Sequence, residues 1–166
     1  MVSEDGRVYT IVDEGPAAST LLPADWQLTA RDAFNGSLLW KKPIDEWQTH
    51  YWPWKSGPTH MPRKLVAVNG KVYLPEGIRG PVCELDGATG RQLRIFESTA
   101  APDELIIHRD TLLTLSDDNP PDPAEVEGYR KRRRWWMYDG LHRAYLDYDG
   151  GRRIVATCLD TGKTVG

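Results

Sequence analysis

The chain has 166 residues, 40% of them hydrophobic and 27% charged, which is the composition of one globular domain rather than a disordered chain. Its net charge of −3 argues against a nucleic-acid or anionic-membrane partner, and no run approaches the roughly 20 apolar residues of a membrane span. Seven Trp and seven Tyr against two Phe make it Trp-rich, and two cysteines without a Cys-x-x-Cys spacing exclude a cysteine-rich metal site.

Residues 6–13 are β-branched and aromatic and predict a strand. Residues 15–23, rich in Pro, Ala and Ser, form a loop. Trp26 to Arg31 is the next strand, and Ser37 to Lys42 completes a meander of three. Residues 45–62 then form an insertion holding Trp47, His50, Tyr51, Trp52, Trp54 and His60, broken by Pro53, Pro58 and Pro62. Arg63 to Val68 and Lys71 to Leu74 flank Asn69-Gly70, a strong hairpin signal. Pro81 to Asp86 and Arg91 to Glu97 complete a four-stranded unit. Glu104 to His108 and Thr111 to Leu115 pair across Arg109-Asp110, and Arg153 to Leu159 returns after a second insertion. That insertion, residues 116–152, opens with acidic and Pro residues. Asp122, Pro123 and Glu125 predict a helix start, with a short helix over 123–136.

One pattern recurs along this series. Asp32-Ala33-Phe34-Asn35-Gly36-Ser37-Leu38-Leu39-Trp40 reads as strand, tight turn, strand, and Asp86-Gly87-Ala88-Thr89-Gly90-Arg91-Gln92-Leu93 repeats it. Asp caps the turn through a backbone N–H two residues on, and Gly supplies the positive φ. Leu39 and Leu93 are expected to face inward. A third copy closes the chain around Thr161 and Gly162, with two alternatives open: Cys158 stands where the frame has Asp, or a residue before Thr161 has been lost. A supersecondary unit recurring at long intervals marks a repeat architecture.

These copies resemble the repeat of the quinoprotein-like (PQQ-binding-like) β-propellers, in which Asp-x-x-Thr-Gly, a strand and a Trp recur once per blade. Trp40 fits the Trp position, and Arg94 departs from it. The resemblance implies an all-β fold of about three four-stranded antiparallel blades. Blade 1 would cover about 6–44 without its first strand, blade 2 about 63–97 and blade 3 about 103–166. It implies a repeat-turn structural role for Asp32, Asn35, Gly36, Trp40, Asp86, Thr89, Gly90, Thr161 and Gly162, with Trp40 docked between blades or buried in a core. A propeller closes with four to eight blades, so three leave exposed sheet edges. The chain is therefore expected to be a piece of a longer protein, to self-associate, or to curl in another way, and the first is preferred.

For function, the Trp47, Tyr51, Trp52 and Trp54 loop is the candidate for stacking on a ligand ring, against burial on its own propeller. Basic residues 130–134 beside Trp135-Trp136 suggest a phosphate grip, but acidic neighbours, including Glu127 four residues before Lys131, favour a solvated helix face. No nucleophile, phosphate-loop or zinc-protease motif is present. A quinoprotein's cofactor residues, calcium-type ion site and adjacent cysteine pair cannot be mapped onto this sequence. No cofactor is expected, and pyrroloquinoline quinone with a divalent cation enters only if the chain is part of a quinoprotein dehydrogenase. The leading expectation is a non-catalytic scaffold or protein-interaction segment, resembling the family's non-enzymatic branch with its outer-membrane assembly lipoproteins. Carbohydrate binding through the Trp-rich loop is a further alternative. The resemblance implies a periplasmic or secreted setting, although no signal peptide is legible at Met1 to Gly6.

Overall fold

A computed structural model describes residues 1–16, 25–45, 63–77, 80–117 and 152–165. They form eleven strands in three antiparallel sheets. The first sheet holds β1 (Val2–Glu4), β2 (Arg7–Asp13), β3 (Trp26–Asp32) and β4 (Leu38–Pro43). The second holds β5 (Val66–Val68), β6 (Lys71–Pro75), β7 (Val82–Asp86) and β8 (Gln92–Phe96). The third holds β9 (Pro102–His108), β10 (Thr111–Asp117) and β11 (Arg152–Cys158). Each is a simple meander whose strands pair in sequence order, as in a propeller blade.

Two expectations about the strands need correction. Blade 1 does not lack its first strand. Asp5 and Gly6 adopt φ of 47° and 70°, a tight turn that folds Val2–Glu4 back onto Arg7–Tyr9. Asp-Gly between short runs is a hairpin signal, and it was absorbed into the strand at residue 6. Arg63 does not extend β5. It bridges in parallel to Glu104 in β9, and its carbonyl accepts from the Leu105 amide at 3.0 Å. In blade 3 the fourth strand is only begun: Thr164 bridges to Thr157, and the Val165 amide donates to the Ala156 carbonyl at 2.7 Å.

Side-chain alternation builds the core. Along β6 and β7, Val72, Leu74, Cys83 and Leu85 face blade 1, where they bury Tyr9, Leu28 and Ala30. The alternate residues Tyr73 and Val82, joined by Phe96 from β8, face blade 3 and pack on Leu105 and Leu112. Blade 2 is therefore covered on both faces. Its two middle strands read as almost continuously buried, whereas the outermost strand β4 is largely exposed. Leu39 and Leu93, expected inward, are 47% and 41% exposed. They lie on the outermost strands, β4 and β8.

The first strands converge: β1 lies against β5, and β5 against β9. Among the described residues, the turns at 5–6, 32–36, 69–70, 86–90, 109–110 and 158–162 lie at one end of the blades. The long connections leave from the opposite end, including segments 46–62 and 118–151. The expected helix over 123–136 and the loop bearing Trp47, Tyr51, Trp52 and Trp54 lie outside the described residues. So do His50, His60 and the basic run 130–134.

Candidate functional site: the inter-blade latches

The repeat turns have the same construction three times. The Asp32 carboxylate accepts from the amides of Phe34 (2.8 Å) and Asn35 (3.1 Å). Asp86 accepts from Ala88 (3.0 Å) and Thr89 (2.9 Å). The Gly36 amide closes on the Asp32 carbonyl at 2.9 Å, and Gly90 on Asp86 at 2.8 Å. In the third turn the Gly162 amide closes on the Cys158 carbonyl at 2.8 Å. No residue has been lost there: Cys158 occupies the Asp position. The oxygens of Asn35, Thr89 and Thr161 then accept from the amides of Ser37, Arg91 and Lys163. The glycine ending each turn has a φ between 70° and 74°, a region costly for any residue with a Cβ.

Each turn is also tied to the first hairpin of its own blade. The amides of Ala33, Gly87 and Leu159 donate to the carbonyls of Gly6, Gly70 and Asp110, at 2.9, 2.9 and 2.8 Å. The tight-turn end of every blade is thus one hydrogen-bonded knot.

Between blades 1 and 2 the knot is gripped by Trp40. Its indole Nε1 donates to the Gly87 carbonyl at 3.0 Å, and the Tyr9 hydroxyl donates to the same oxygen at 3.0 Å. The Trp40 ring lies over Gly90 so closely that a methyl group there would come within 2.7 Å of it. Tyr9 and Trp40 are tilted against each other with centroids 6.0 Å apart. Tyr9 is fully buried, and burial pushes its hydroxyl pKa up.

Between blades 2 and 3 the grip is kept and the chemistry changes. Arg94, eight residues after Asp86 as Trp40 is after Asp32, donates to the Leu159 carbonyl and to the Asp160 carbonyl, the latter at 2.8 Å. Leu159 is the counterpart of Gly87, since each directly follows the first residue of its turn. The Arg94 guanidinium also sits 5.8 Å from the Phe96 ring centroid. Arg94, which departs from the repeat by residue type, thus performs the Trp's contact with a planar donor of its own. Its spacing was the available signal, and residue type concealed it. The position of Ala30 is taken in blade 2 by Glu84, 3% exposed, whose Oε1 pairs with Lys71 Nζ at 2.7 Å. Burial, then the Glu84 charge, raises the Tyr73 hydroxyl pKa.

The two thiols differ. Cys83 is buried, its Sγ donates to the Leu74 carbonyl at 3.1 Å, and burial pushes its pKa up to about 12. Cys158 is half-exposed, because it is a turn residue, and the Thr161 hydroxyl, followed by the Thr161 and Asp160 amides, holds its pKa below the ordinary thiol value. Asp86 is lowered likewise by the Thr89 hydroxyl and amide.

A second polar cluster lies at the opposite end, on the inner edge. Arg63 pairs with Glu104 at 3.3 Å, and Arg152 Nε stands 3.7 Å from Asp103 Oδ2. Lys64 is 7% exposed, and its amine pKa is pushed down by burial and partly restored by Asp103. Among the described residues no three of His, Cys, Asp and Glu converge to hold a metal ion.

A solved structure matches this architecture. Europium-containing methanol dehydrogenase superposes with a TM-score of 0.52 at 13% identity, over 98% of this chain and 23% of that protein. The fold is that of quinoprotein-like propeller blades. At that identity the likeness concerns the scaffold, and the chain spans about a quarter of the matched protein's length. No family model matches the chain, and no curated protein matches it. Among the described residues of these blades, no helix is long and apolar enough to cross a membrane.

Proposed function

We propose that these three blades act as a non-catalytic scaffold or protein-interaction segment of a propeller. The carrying observation is where the repeat's polar groups point. Asp32 and Asp86 are engaged by the amides of their own turns, and Trp40 and Arg94 by the next blade. Side chains so engaged hold blades in register and leave little chemistry for a substrate. The family's non-enzymatic branch, with its outer-membrane assembly lipoproteins, is the model for such a role.

The competing reading is part of a quinoprotein dehydrogenase. Titration of the whole propeller with pyrroloquinoline quinone and calcium separates the two. The scaffold reading expects the quinone absorption spectrum to stay unchanged through saturating chain. A saturable spectral shift that requires calcium would replace it with the enzyme reading.

A further inference from the structure

Lys64 carries chemistry that the blade contacts leave unused. It is 7% exposed, yet among the described residues its amine makes no hydrogen bond and no ion pair, and the Asp103 charge acts on it through space alone. Lys41 and Lys71, by contrast, each hold a carboxylate at 2.7 Å. Asp103 is unsatisfied in the complementary way. Its Oδ2 is buried and accepts no hydrogen bond among the described residues, and Arg152 Nε at 3.7 Å is beyond hydrogen-bond reach.

One seam brings these two groups together. Arg63 bridges in parallel to Glu104, and the Leu105 amide donates to the Arg63 carbonyl at 3.0 Å. Alternation along both segments then turns Lys64 and Asp103 to the face opposite the Arg63–Glu104 ion pair. An ammonium without a partner is costly to bury, so the neutral amine is favoured, and burial indeed pushes its pKa down. A desolvated neutral amine is a nucleophile for carbonyl carbon, and a carboxyl group beside it can move the protons that such an addition requires.

We propose that Lys64 is a covalent capture site for small aldehydes, with Asp103 as its proton-transfer partner. The inference goes beyond the scaffold reading and does not depend on it, since capture needs no turnover. The amine nitrogen attacks the aldehyde carbon, and the carbonyl π pair moves onto oxygen. That oxygen gains a proton and the nitrogen loses one, giving a carbinolamine. Protonated Asp103 then gives its proton to the hydroxyl, and water leaves with the C–O bonding pair as the nitrogen lone pair forms C=N. The remaining N–H proton returns to the Asp103 carboxylate. Amine and aldehyde become imine and water, with no oxidant or reductant consumed. The narrow exposure of Lys64 restricts the site to small aldehydes.

The test treats the full 166-residue chain at neutral pH with propionaldehyde and cyanoborohydride, which reduces the imine to a stable propyl amine. Peptide mass spectrometry then follows each lysine over time. Lys64 is expected to be labelled about tenfold faster, or more, than Lys41 and Lys71, since each unit of pKa is tenfold in free amine. In Asp103→Asn its labelling should fall by about tenfold or more, and Asp103→Glu should recover most of that loss. Loss of the charge alone would free more amine and speed the labelling. A rise in Asp103→Asn would therefore overturn the role given to Asp103. Lys64 labelled no faster than Lys41 and Lys71 would overturn the capture site, and that comparison needs no variant.

Discussion

Trp40→Ala is expected to destabilise the chain by about 3 kcal/mol, the low end for removing a packed Trp. The ring is only partly buried, and the Gly87 carbonyl it leaves keeps the Tyr9 hydroxyl as a donor at 3.0 Å. No orphaned acceptor therefore adds to the loss. What disappears is the ring's contact with Gly90 and with Tyr9, the grip of blade 1 on blade 2. For a chain of this size, thermal unfolding followed by circular dichroism should show a melting temperature lower by about 10 °C. A drop under about 2 °C would mean that Trp40 is a surface ornament and that the apolar cluster alone holds the blades.

The second large effect comes from glycine. Gly36 and Gly90 have nearly equal φ, 74° and 72°, so alanine at either meets the same backbone strain of about 1 kcal/mol. Their surroundings differ. A methyl group at Gly36 meets nothing within 4 Å, whereas at Gly90 it would lie 2.7 to 3.0 Å from three Trp40 ring carbons. Gly90→Ala should therefore cost about 3 kcal/mol and Gly36→Ala about 1 kcal/mol. The excess belongs to the clash, so it should largely vanish in a Trp40→Ala background. Urea unfolding of the four variants measures this directly. Equal costs for the two glycines would place the Trp40 ring elsewhere.

Much of the fold was legible because its signals are local. Asn69-Gly70 sets a hairpin, and Asp86 with a positive-φ Gly four residues on sets the turn at Asp86. Legibility failed where the physics is tertiary or where a residue type stands in for another. Leu39 and Leu93 fit an inward alternation, but only the stacking of blades reveals that their strands are outermost. Cys158 concealed a turn because a sulfur can accept the amides an aspartate accepts. Arg94 concealed a latch because a guanidinium and an indole share a planar donor and little else.

Blade 2 is the layer on which both neighbours pack, and amide hydrogen exchange read by mass spectrometry tests this most directly. Lys71–Pro75 and Val82–Asp86, covered on both faces, should hold the slowest amides, slower than those of Thr111–Asp117 and Arg152–Cys158, which have one open face. If blade 2 exchanged as fast as blade 3, or the two terminal blades protected each other while it opened, the stacked arrangement would be contradicted.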